Sequence, residues 1–228
     1  MSPNLEAGAT RRVGSSEHFV GLEVSLAQML ADRLEVGLEI HTLTEPGYAP
    51  LIPAMLEGTA DLVASTLSIT PERKQIVDFS KPYDFAYQVV VVRQGSEIRS
   101  AEDLGDKVAV TTRGSSHQQH LQRLGIEEHN MRFVDFVEAY YPLLAEGGAD
   151  FAVVDSFQPD RLDEFQNAQA TDGLEVAFAL PEVDRIAAAL PQGSDLKHPL
   201  DELIEELEAS GELEQMRREA RAIRAELM

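Results

Sequence analysis

The sequence predicts an α/β chain of two lobes joined by two crossings, and three observations carry the prediction. Apolar strands alternate with amphipathic helices along most of the length, as in parallel sheets covered by helices. The stretch Glu57-Gly58-Thr59-Ala60-Asp61-Leu62-Val63 recurs as Glu146-Gly147-Gly148-Ala149-Asp150-Phe151-Ala152, each after a helical stripe and each opening an apolar strand. Finally, Val89-Val90-Val91-Val92 is apolar without alternation, as expected of a strand buried on both faces.

In chain order, residues 1–20 read as loop, with Arg12-Val13-Gly14 long enough only for a stub of strand. Leu22, Leu26, Met29, Leu30 and Leu34 form one helical stripe, and Leu38 to Leu43 alternates like a strand. After the turn Gly47-Tyr48-Ala49-Pro50, a helix from Leu51 is closed by Gly58 as its C-terminal cap, and a short strand runs from Asp61 to Ala64. Thr70, Pro71 and Glu72 then read as N-cap, first position and first-turn acid of a short helix, placing Arg73 one turn in. Further strands are expected at Gln88 to Arg93, Lys107 to Thr111, Met131 to Val134, Leu174 to Leu180 and Arg185 to Leu190. Ser100-Ala101-Glu102-Asp103-Leu104 reads as a capped turn, and helices are expected after Ser116, from Val137 to Leu144 and from Phe157 to Phe165. The tail from Leu196 to Leu227 reads as two amphipathic helices split at Ser210-Gly211. Crossings near Val91 to Gln94 and Val183 to Ala188 divide the chain into lobe one, 1–91 with 187–228, and lobe two, 92–186.

The 228 residues suffice to bury a substantial core. With 40 acidic against 19 basic side chains, the net charge of -21 repels phosphate backbones and anionic bilayers, which argues against nucleic acid and membrane surfaces as partners. The absence of cysteine removes disulfides, thiolate ligands and a cysteine nucleophile. No run approaches the roughly 18 apolar residues of a membrane span, and Met1-Ser2-Pro3-Asn4-Leu5-Glu6 does not read as a signal peptide. The histidines, His117 and His120 among them, show no metal-ligand spacing with a third partner; they read as solvated, with no metal or cofactor implied.

Ligands of open parallel sheets bind beyond the carboxyl ends of the strands. After the first repeated turn and strand come Thr66, Ser68 and Arg73; after the second comes Asp155. A guanidinium offers a planar fork to a carboxylate, whereas a lone arginine on a surface helix would only meet solvent. Asp155 equally suits an N-cap for a helix at Phe157, and Thr66 and Ser68 equally suit hydrogen bonds at the strand end.

Ser65-Thr66-Leu67-Ser68-Ile69-Thr70-Pro71-Glu72-Arg73, followed by Asp78-Phe79-Ser80-Lys81-Pro82-Tyr83, resembles the signature of the family 3 extracellular solute-binding proteins, the amino-acid receptors of ABC importers. Gly21-Leu22-Glu23-Val24-Ser25-Leu26-Ala27, Gly193-Ser194-Asp195-Leu196 and Ser210-Gly211-Glu212-Leu213 resemble further motifs of that family in the same order. The resemblance implies a two-lobed, type II periplasmic-binding-protein-like fold and an amino acid held between the lobes. It implies that Arg73 takes the α-carboxylate, Asp155 the α-ammonium, and Thr66, Ser68 and Ser116 the ligand's backbone groups. Ser116 matches the family's Gly-Thr-Thr position and begins a helix whose free N–H groups attract an anion. Tyr48 is either a ligand wall or lobe core; Arg113 either reaches a ligand side chain or points to water. With no acid placed to neutralise a cationic ligand, polar or acidic amino acids are favoured. An ABC permease is the implied partner, the protein a monomer, and its place periplasmic or extracellular. Family members begin with a strand of Leu-Arg-Val-Gly type, for which this sequence has either nothing or the Arg11 to Gly14 stretch, and Ser25 stands where an acid is common. The rival expectations are a cyclohexadienyl-dehydratase-like enzyme on the same fold, and the ligand-binding module of a sensor or a lytic transglycosylase.

Overall fold

The computed structural model describes residues 19, 21–43, 45, 47–157 and 173–227. In chain order its elements are α1 (Leu22–Arg33), α2 (Leu51–Leu56), β1 (Asp78–Phe79), β2 (Asp84–Arg93), β3 (Ala109–Thr111), α3 (Ser116–Arg123), β4 (Met131–Phe133), α4 (Tyr140–Ala145), β5 (Phe151–Ser156), β6 (Leu174–Ile186), β7 (Ala189–Leu190), α5 (Lys197–Ser210) and α6 (Glu212–Leu227), with short 3-10 turns between them. The chain divides into two compact units. One holds the described residues up to 45, 50–85 and those from 185 onward; the other holds those of 46–49 and 86–184.

The first unit is organised around the apolar segment Ile186 to Leu190, every residue of which is buried. On one side of it, Val63 bridges Ala189 and Ser68 bridges Ile186, both antiparallel. On the other, β1 pairs antiparallel with β7, Asp78 opposite Leu190, and the N–H groups of Ser80 and Tyr83 donate to Ala188 O and Ile186 O, each at 2.9 Å. Helix α1 packs against both α5 and α6, burying Leu22, Leu26 and Leu30 on one side and Leu200, Leu203, Ile204 and Leu207 of α5 on the other. Gly211, at φ +79°, ends α5 where the sequence places the break. Arg217 of α6 is buried; its Nε donates to Tyr83 O at 2.8 Å, and its guanidinium lies beside Asp84 and Glu208.

In the second unit a five-stranded sheet has the order β4-β3-β5-β2-β6. Strand β3 runs parallel to β4 and β5, and β2 runs antiparallel to β5 with Gln88 opposite Asp155 and Val90 opposite Val153. The uninterrupted valines of β2 follow from burial on both faces. Val90 and Val92 pack with Phe151, Val153, Leu104, Leu121 and Leu180, whereas Val89 and Val91 pack with Val110, Ala152, Tyr140 and Leu144. Helix α3 thus covers one face and α4 the other, an arrangement of two helical layers about a mixed sheet.

Several expectations are corrected. Leu38 to Leu43 forms no strand and Ile40 is exposed; an alternating segment needs a ladder neighbour, and it has none among the described residues. Asp61 to Ala64 is reduced to the single bridge at Val63. The two strands expected at Leu174–Leu180 and Arg185–Leu190 are instead a thirteen-residue β6 and a two-residue β7. The helix at Arg73 is a single 3-10 turn, Arg73–Gln75. Beyond Phe157 the expected helix to Phe165 lies outside the described residues, as does the Arg11 to Gly14 stretch.

Candidate ligand-binding residues

In the first unit, Ser68, buried and bridged to Ile186, turns its carbonyl toward Arg73, whose Nη1 donates to it at 2.8 Å. Thr70 Oγ1 accepts the Arg73 N–H at 3.2 Å, and Thr70 O accepts that of Lys74 at 3.0 Å. The expected capping by Thr70 is therefore present although the helix is only one turn. Arg73 is just 7% exposed, which excludes an arginine that merely meets solvent. A guanidinium taken out of water at this cost needs anionic or carbonyl partners, and its planar fork suits a carboxylate.

Thr66 lies in the same segment with φ 46°. A β-branched residue in the left-handed region is strained by about 1–3 kcal/mol and persists only where its surroundings impose it. Its Oγ1 donates to Glu23 Oε1 of α1 at 3.2 Å, and both residues are buried. Glu23 is the acid missing from the sequence reading. The family-like Gly-Leu-Glu-Val start of α1 was its available signal.

In the second unit, Asp155 is the fifth residue of β5, on the face covered by α3. Its Oδ1 accepts from Nε2 of its cross-strand partner Gln88 at 2.7 Å and lies 3.2 Å from Nε2 of His117 on α3. His117 is 4% exposed, with its ring edge-on to Tyr140 at 6.2 Å between centroids. Ser116, directly before it, is buried and opens the helix. The N-cap is Ser115, whose Oγ accepts Gln118 N–H at 3.1 Å and donates to Thr112 O at 2.7 Å. Ser116 thus immediately precedes the histidine that faces Asp155.

Tyr48 is half-buried between Gly47 and Ala49, which approach the 112–114 turn. Gly114, at φ +72°, admits this approach, since a Cβ there would stand 2.9 Å from Ala49 Cα. Arg113 is turned to the surface: its side chain is 62% exposed, 3.0 Å from Glu128 Oε1, and lies over the Phe133 ring at 3.8 Å.

The expectation of solvated histidines fails for two of them. His117, His120 and Leu121 share the buried stripe of α3. His120 Nδ1 faces Arg123 Nη2 at 3.0 Å and its Nε2 faces Asp184 Oδ1 at 3.0 Å. An arginine can only donate, so Nδ1 accepts and the Nε2 proton goes to Asp184. The spacing of 117, 120 and 121 was the signal for this burial, overridden by the polarity of imidazole. Among the described residues no group of three or more metal-ligating side chains converges, and no helix is long and apolar enough to cross a membrane.

Each unit thus holds one anchored charged side chain, the Arg73 guanidinium in the first and, at the C-terminal end of a central strand, the Asp155 carboxylate in the second. Residues 11–220 match the bacterial extracellular solute-binding proteins, family 3, and the chain belongs to that family. It is 34% identical over 202 residues to the membrane-bound lytic murein transglycosylase F of Idiomarina loihiensis, covering 85% of this chain but only 43% of that protein's length. It is 28% identical over 207 residues to the arginine-binding extracellular protein ArtP of Bacillus subtilis, covering 89% and 78% of the two chains. Among solved structures, a mutant of ArgBP from T. maritima superposes with a TM-score of 0.77 at 26% identity, covering 95% of this chain and 93% of that one. That likeness bears out the expected two-lobed α/β fold.

Proposed function

We propose that this chain captures a free amino acid outside the cytoplasm and presents it, as a monomer, to an ABC permease, with no chemistry of its own. The observation that carries the reading is Arg73, an arginine 7% exposed and oriented by the Ser68 carbonyl in the motif where family resemblance implies carboxylate binding. A zwitterion needs opposite charges, and Asp155 supplies the second. One ligand engages Arg73, Thr66 and Ser68 of the first unit with Asp155 and Ser116 of the second, while Tyr48 forms a wall. Contacts made only when both units hold the ligand bias the molecule toward the form a permease recognises. Arg113, engaged by Glu128 and Phe133, contributes to side-chain choice only if it leaves both. Polar or acidic side chains remain the favoured class; a cationic one would draw on Glu23.

Titration calorimetry against the twenty amino acids tests this. At least one binds the wild type, and Arg73→Ala weakens it on the order of a hundredfold, as when one partner of a buried charge pair is removed. Absence of amino-acid binding together with turnover of prephenate or arogenate would sink the reading in favour of an enzyme. A second reading, a ligand-sensing module of a larger wall-remodelling protein, is favoured by the identity to the transglycosylase, of which the match spans 43%. Reconstituted vesicles separate the two, since only a transport receptor stimulates uptake by its permease.

A further inference from the structure

We propose that His117 is a positioning residue for ammonium recognition, fixing the Asp155 carboxylate jointly with Gln88; the proposal rests on the reading that Asp155 takes the ligand's α-ammonium. The two residues that face this carboxylate carry three buried polar atoms without a hydrogen-bond partner among the described residues: Nδ1 and Nε2 of His117 and Oε1 of Gln88. Such atoms are costly and rare, and each calls for an explanation. His117 Nε2 is within ion-pair distance of Asp155 Oδ1, at 3.2 Å, but outside hydrogen-bond geometry. The imidazole χ2 is soft, so a small rotation aligns the pair.

With its proton on Nε2, the imidazole donates to the same Oδ1 that already accepts from Gln88 at 2.7 Å. A carboxylate oxygen that accepts two donors is fixed in rotamer and stabilised as the anion, the state an ammonium requires. Tyr140 bounds the ring on the α4 side, its own hydroxyl donating to Thr112 Oγ1 at 3.1 Å. His120, one turn along α3, is committed to Asp184 and Arg123 and cannot substitute.

The test is the ratio of dissociation constants for an amino acid and its deaminated analogue: L-glutamine against glutaramic acid, and L-arginine against 5-guanidinopentanoic acid. His117→Phe keeps a ring against Tyr140 and removes both nitrogens; His117→Gln restores a donor. The wild type prefers the amino acid. His117→Phe lowers that preference on the order of tenfold, the worth of one hydrogen bond to a charged group, with binding of the deaminated acid unchanged, and His117→Gln recovers most of it. Gln88→Met, which removes the other donor, gives the same reading if the phenylalanine variant does not fold. An unchanged ratio in His117→Phe and Gln88→Met, with the preference collapsing in Asp155→Asn, overturns the role of His117 alone. An unchanged ratio in Asp155→Asn as well, or a wild type that binds none of the four probes, overturns the amino-acid reading with it.

Discussion

The turns that end α2 in the first unit and α4 in the second are hydrogen-bonded alike. Gly58 donates to Met55 O and Thr59 to Ala54 O in one; Gly147 donates to Leu144 O and Gly148 to Leu143 O in the other, all at 2.8–3.0 Å. Both first glycines are left-handed, at φ +86° and +81°. Beyond the turn the two diverge. In the second unit the chain enters β5, six residues paired on both sides, whereas in the first it makes one bridge at Val63. A helix end is written in a few consecutive residues, but a strand exists only through its neighbours.

The largest effect expected from probing this pair comes from the matched core positions, Met55 of α2 and Leu144 of α4, exposed by 2% and 0%. Alanine at either costs about 2–5 kcal/mol in denaturant unfolding. Leu144→Ala falls at the upper end, because Val89, Val91, Val110 and Val154 from three strands cannot collapse into the cavity. Met55→Ala falls at the lower end; equal losses would show that the fuller ladder does not stiffen its core.

Smaller effects come from the turns. Transplanting the first unit's residue as Gly148→Thr brings a Cβ within 2.4 Å of Leu143 Cδ1 and 3.3 Å of Leu143 O, for a loss of about 1–3 kcal/mol. Gly58→Ala, in open space, and Gly147→Ala each lose about 1 kcal/mol through backbone conformation alone. Thermal melts in which Gly58→Ala and Gly147→Ala differed widely would break the equivalence of the two turns.

The smallest effect lies in the second unit's cap at Asp103. The backbone N–H groups of Arg99 and Ser100 donate to it and hold its pKa below the ordinary carboxylate value. A depressed folded-state pKa stabilises above the unfolded value and is lost as pH falls through the folded one. Asp103→Asn therefore lowers stability slightly at neutral pH, and the difference from the wild type shrinks as pH falls below about 4, as a pH series of melts reads out.

What the sequence disclosed follows the same division. The α1 stripe was legible as far as Leu30, with Leu34 beyond the helix end and exposed; the Gly58 and Gly147 turns, the Ser210-Gly211 break and the doubly buried valines of β2 were legible too, because spacing and single residues dictate them. Leu38 to Leu43 was misread because alternation records a face to bury and not the neighbour that would pair with it. At the candidate site, the motif around Arg73 was legible as a resemblance. The left-handed Thr66 was not, since threonine there opposes its own propensity, and neither was Glu23 holding it. His117 and His120 were misjudged because their burial depends on carboxylates from β5 and β6 that lie far away in sequence.

The grip of Arg217 on Tyr83 O and Asp84 has a consequence for how the molecule is made. Synthesis runs from the N-terminus, so the second unit has its last strand residue, 184, in hand while the first still lacks the Ile186 to Leu190 spine and both tail helices. The first unit begins earlier and is completed later. Its buried arginine, thirty-three positions beyond residue 184, reaches the Tyr83 carbonyl only after the other unit is complete, leaving Val63, Leu67 and Val77 without their native cover throughout the making of that unit.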